Sequence, residues 1–173
     1  LEQYAVADMN EMERIGSSSR FNAMVQMGRI AGYDRSNGDW RGVRRFYITE
    51  DHKRKVISSK MLADLGDVDM GSTDELRKFV VWAKRNYPAK KYMLVIWNHG
   101  AGWQGISFDD TTANHMAIPD MAEALARAGG VDVLASDACL MQMAEVVYEL
   151  KGAAKYIVGS EETEPGKGYA YNR

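Results

Sequence analysis

Apolar positions along the chain change their period several times, and each change marks an element. Leu1 to Ile15 sets Ala5, Met9, Met12 and Ile15 on one face of a helix ending near Gly16. Phe21 to Met27 reads as a strand, and Gly32 to Asp39 as a polar turn. Arg44 to Thr49 and Lys55 to Ser58 then form a hairpin around Glu50 to Lys53. Ser72 with Glu75 makes a capping box before Leu76, Phe79, Val80 and Ala83, and Pro88 stops that helix. Pro119 suits the first turn of a helix carrying Met121, Leu125 and Ala128, with Gly129-Gly130 as its stop. Lys155 to Ser160 supplies a last strand. The order β-α-β-α-β predicts an α/β fold with a mostly parallel sheet and helices on both faces.

Two of the apolar runs end in chemistry. Tyr92 to Asn98 runs into His99-Gly100, and Val131 to Ala138 runs into Cys139, the only cysteine. As parallel strands of one sheet they present these groups beyond their carboxyl ends, where functional groups of such sheets gather. Neighbouring strands lie about 4.8 Å apart, so a thiol and an imidazole leaving adjacent strands meet across one crevice. Met143, Val146, Val147 and Leu150 follow with Met141 at helical spacing, which predicts a helix starting at Cys139 and a thiolate favoured by its macrodipole. The amides of Gly100 and Cys139 are candidates for an oxyanion hole. The bland reading is that a lone cysteine is a small buried apolar residue and a lone histidine is incidental. Asp137 lies two positions before the cysteine, on the same side of an extended strand. It reads equally as a first-turn helix acid or as a carboxylate selecting a cation.

Composition narrows the class. The chain has 173 residues, 46% of them hydrophobic, enough for a core. With 22 basic and 24 acidic residues the net charge is -2, which gives no nucleic-acid bias. No apolar run reaches the roughly 18 residues of a membrane span. Methionines near the cysteine read as core packing rather than a peptide groove. Asp64, Asp67 and Asp69 invite calcium but lack an ordered ligand pattern, so a solvated turn is the simpler reading.

Asn98-His99-Gly100 with Gly102-Trp103, and Ser136-Asp137-Ala138-Cys139-Leu140-Met141, resemble the catalytic segments of the clostripain family of cysteine peptidases. The resemblance extends through Gly66 to Trp103 and through Ile157 to Gly168. It implies a caspase-like three-layer sandwich, one peptidase domain over residues 1–173 that is incomplete at both ends. It further implies a dyad of His99 and Cys139, a basic-residue pocket walled by Asp137, and hydrolysis after arginine or lysine. Substrates would be proteins or peptides with basic residues, no cofactor is required, and calcium enters only by association with the family. Export from a bacterium, to the medium or the periplasm, follows in the same way.

The family matures by self-cleavage after a basic residue between its dyad members, and here Arg127 is the one basic residue in that interval. It sits in a predicted helix, so the Asp109 to Ala117 loop is the expected place for a break. Gly166 to Tyr171 looks like the start of a substrate loop, which makes a second fragment of the same precursor an expected partner. The competing class is a caspase-like binding module without turnover. A thiol hydrolase acting on small esters is the third.

Overall fold

The computed structural model describes residues 1–173. Its contacts divide the chain into two compact units, Leu1–Val68 with Tyr169–Arg173, and Asp69–Gly168.

The first unit joins one helix, α1 (Glu2–Glu13), to an antiparallel sheet in the order β1 (Met24–Arg29), β2 (Gly42–Tyr47), β3 (Lys60–Gly66). Val6, Met9, Met27, Trp40, Phe46 and Ile48 form its core. The helix face differs from the sequence expectation at its end. Ile15 lies outside α1 and is exposed, whereas Glu13 is buried and its Oε1 accepts the amides of Ser58 (2.8 Å) and Ser59 (2.6 Å). That contact also explains why Lys55 to Ser58 is not the hairpin's second strand. The amides of Val56 and Ile57 go to the side chains of Asn10 and Asn37, and those of Ser58 and Ser59 go to Glu13. With these donors taken by side chains, strand pairing with β2 begins only at Lys60.

The second unit contains α2 (Thr73–Asn86), β4 (Met93–Trp97), β5 (Ile106–Asp109), β6 (Asn114–Met116), α3 (Ile118–Arg127), β7 (Val131–Asp137), α4 (Ala144–Leu150) and β8 (Ala154–Val158). β4, β7 and β8 make a parallel sheet in that order, in the register Met93↔Val133↔Tyr156 and Val95↔Ala135↔Val158. An order that advances in one direction puts right-handed crossovers on one face. Accordingly α3 packs beside both α2 and α4, and Leu94, Ile96, Leu134 and Ile157 meet this helix layer over Met121, Leu125, Val146 and Leu150.

Ser72 is the N-cap of α2, but its side chain caps nothing, and Glu75 pairs with Lys78 (2.5 Å) instead of reaching back. The expected capping box is therefore not formed. Pro119 does open α3, and Gly129 and Gly130 end it at positive φ. The expected loop from Asp109 to Ala117 is a β5–β6 hairpin. Asp69 clasps it by accepting from Thr112 Oγ1 (3.0 Å) and Asn114 Nδ2 (2.6 Å), while Asp109 accepts the Met70 amide (2.8 Å).

Candidate active site

The strand ends set the site. β4 and β7 pair in parallel with Trp97 opposite Asp137, and the Asn98 amide still bonds the Asp137 carbonyl (3.4 Å). His99 and Cys139, each two residues past that pair, leave neighbouring strands at the same level. Beyond them the backbones touch. A Cβ added to Gly100 would collide with the Cys139 carbonyl oxygen and stand 3.0 Å from Ala138 Cβ and 3.1 Å from the Cys139 nitrogen. Only glycine fits there, and the two loops interlock through it.

Each loop is fixed by further bonds. Asn98 turns its side chain back so that Oδ1 accepts the His99 amide (2.6 Å), while Nδ2 donates to the Phe108 carbonyl (3.2 Å). The Ser107 amide donates to the His99 carbonyl (3.2 Å), and Ser107 Oγ donates to the Met70 carbonyl (2.9 Å). His99 itself is exposed. The amides of Gly100 and Cys139 take part in no backbone hydrogen bond, although the loop around them is otherwise well bonded. Two adjacent unpaired donors are what an oxyanion acceptor needs.

Cys139 does not start a helix, contrary to the sequence expectation. Residues 138–142 are turns, Leu140 has φ 62°, and α4 begins only at Ala144. The left-handed Leu140 breaks the helical path that the methionine and valine spacing suggested. A helix macrodipole therefore does not act on the thiol, since that effect is confined to the terminal turn. Instead a strap from the end of β8 holds the turn. The Leu140 amide donates to the Glu162 carbonyl (3.0 Å), the Gln142 amide to the Ser160 carbonyl (2.9 Å), and the Glu164 amide to Cys139 Sγ (3.2 Å). Sequence reasoning missed this strap because every group it contributes to these bonds is backbone, some twenty residues away, with no side-chain signature in the strap itself.

Asp137 ends β7 and is 4% exposed. It is thus a strand acid, not a first-turn helix acid. Gly168 closes over it, and any Cβ there would run into the carboxylate. The Gly168 amide bonds the Pro165 carbonyl (2.8 Å), so the strap's last turn forms the lid of this carboxylate.

Asp64 is paired with Arg44 (2.9 Å) and the Gly66 amide, which hold its carboxyl below the usual range, and Asp69 is committed to the hairpin. Three acidic, histidine or cysteine side chains converge nowhere. His115 stacks on Phe108 with ring centroids 4.9 Å apart, and His52 pairs with Glu50.

Comparison with known proteins identifies the family and the fold. The model of the clostripain family matches residues 1–173. Clostripain of Hathewaya histolytica is 32% identical over 127 residues, which are 62% of this chain and 24% of that protein. A secreted C11 cysteine protease from Bacteroides thetaiotaomicron, solved in complex with an irreversible peptide inhibitor, superposes with a TM-score of 0.76 at 31% identity, over 99% of this chain and 48% of that one. An inactive zymogen C11 protease from Parabacteroides distasonis gives 0.74 at 25% identity, with the same coverage of 99% and 48%. The chain thus spans about half the length of the solved relatives, and its architecture is their caspase-like α/β sandwich. By sequence and by fold, the chain belongs to the clostripain family.

Proposed function

We propose that this chain carries the reacting groups of a cysteine endopeptidase that cleaves after arginine or lysine. The observation that carries the reading is the interlock of the two strand ends. Gly100 packs against the Cys139 backbone, with both amides unpaired, directly beyond the matched register of β4 and β7.

The Cys139 thiolate attacks the carbonyl carbon after the basic residue, and the oxyanion is held by the Gly100 and Cys139 amides. His99 donates a proton to the leaving amine, then takes one from the water that hydrolyses the acyl-enzyme. An exposed imidazole on a loop pinned by Asn98 and Ser107 is accessible to both partners. Asp137 selects the cation. Its burial supports this role, because a carboxylate in a low-dielectric pocket discriminates strongly for a partner of opposite charge. Entry of a long basic side chain displaces the Pro165–Gly168 turn.

The relatives support the wider biology. The Bacteroides protein is described as secreted and the Parabacteroides protein as an inactive zymogen, in line with an exported enzyme, in the medium or periplasm, that matures by cleaving itself. A second fragment of the same precursor is its partner. No helix is long and apolar enough to cross a membrane.

Cleavage-site profiling of a peptide mixture with the full-length protein tests the reading. Cuts should follow arginine or lysine and vanish in Cys139→Ala, with the fold retained. His99→Ala should lower turnover on every substrate. Unchanged proteolysis by Cys139→Ala rejects the mechanism, and a folded wild type that an arginyl covalent inhibitor does not label is a binding module instead.

A further inference from the structure

Beside the reacting loops lies a groove of about 540 Å³, lined by Trp103, Ala144, Glu145, Tyr148 and Glu149. From its composition we infer that it is a second substrate subsite, taking a basic side chain that flanks the scissile bond. The inference rests on the peptidase reading of the adjacent crevice.

Trp103 is 49% and Tyr148 67% exposed, and both rings line this groove. Both rings belong to elements that leave the reacting residues. Trp103 sits in the short turn Gly102–Gln104 just past His99, and α4 follows the Cys139 turn. The two walls are locked together: a Cβ on Gly102 would strike the Met143 sulfur and lie 3.4 Å from the Leu140 carbonyl oxygen. The groove is therefore held in a fixed place relative to the turn that carries Cys139.

Charge decides the occupant. Glu145 and Glu149 stand one helical turn apart on α4, and neither forms an ion pair within the chain. Paired acids at this spacing repel each other, and a cation between them relieves that cost. Lys151 Nζ sits 3.6 Å from the Tyr148 ring centroid, so the chain's own cation covers that ring and Trp103 is the aromatic surface left for an entering stem. Arginine and lysine combine an apolar stem that lies on aromatic faces with a charged head that reaches carboxylates. An acidic side chain in the same place meets two negative charges.

The test uses full-length protein and two peptides with the same scissile arginine, one with lysine and one with glutamine at the flanking positions. Binding to Cys139→Ala is measured by fluorescence polarisation, and kcat/KM on the active enzyme. The lysine peptide should bind on the order of tenfold tighter and be cleaved correspondingly faster. The double variant Glu145→Gln with Glu149→Gln should erase that ratio while still cleaving the glutamine peptide normally. Equal binding of the two peptides, or a ratio that survives the double variant, overturns the subsite. A charge-dependent ratio in binding without any cleavage by the Cys139 protein upholds the subsite and removes the peptidase reading.

Discussion

Asp137 and Gly100 show how much a single residue contributes here. Asp137 is buried at the end of β7, and if it selects the cation as proposed, Asp137→Asn should cost about 3 kcal/mol with arginyl substrates, on the order of a hundredfold in kcat/KM, by leaving a buried cation unpaired. Comparing arginyl with neutral substrates checks it, since an equal loss on both would assign Asp137 to the fold. Gly100→Ala should destabilise the chain by about 1–3 kcal/mol, because its methyl group meets Cys139 backbone that cannot move independently. Urea unfolding measures that loss. Both residues were legible in the sequence as candidates, one from its spacing to the cysteine and the other from its place after the histidine. The interlock that makes Gly100 irreplaceable was not, because it depends on a residue about forty positions away.

At the scale of elements, the helix layer is held at its ends by side chains from neighbours. Lys84 of α2 reaches the C-terminus of α3, where its Nζ donates to the carbonyls of Ala128 (2.9 Å) and Gly130, and burial pushes its pKa down. Lys84→Met should cost about 2 kcal/mol by orphaning those carbonyls, read as a lower urea midpoint with an unchanged slope. Asp132 ties the start of β7 to Lys91, the Tyr92 amide and Lys155, which hold its pKa at about 2. That stability is complete above the ordinary carboxyl value of 3.8 and is lost as pH falls through about 2. Asp132→Asn should therefore flatten the acid limb of the stability curve between those values, as followed by circular dichroism. Elements bounded by proline or glycine were placed well by sequence. The Cys139 helix and the Lys55 to Ser58 strand were misplaced because a left-handed Leu140 and side-chain bonds from Glu13, Asn10 and Asn37 override local propensity.

For the whole molecule, the parallel sheet of the second unit leaves work undone. Its face away from α2, α3 and α4 carries Met93, 62% exposed, with Tyr156, 69%, in the same register row, and Val158 in the next. Parallel sheets are normally covered on both faces. The solved relatives are about twice as long, and the second fragment proposed above as this chain's partner is a fitting cover. Tyr156→Asp with Val158→Asp in that precursor should lower its melting temperature and release the second fragment after maturation. Co-purification of the two fragments measures this, and undiminished association would assign the cover elsewhere.

What the sequence determined by itself was local and repetitive: apolar runs of strand length, helices between them, and a histidine and a cysteine at the ends of two such runs. Hydrophobic period and glycine or proline punctuation are properties of neighbouring residues, so they survive without coordinates. Tertiary structure alone decided the pairing of β4 with β7, the strap from Ser160 to Gly168 over thiol and carboxylate, and the acidic aromatic groove. Each depends on backbone groups or exposed faces brought together from distant positions. Those contacts form only once the chain has packed, and no local pattern encodes them.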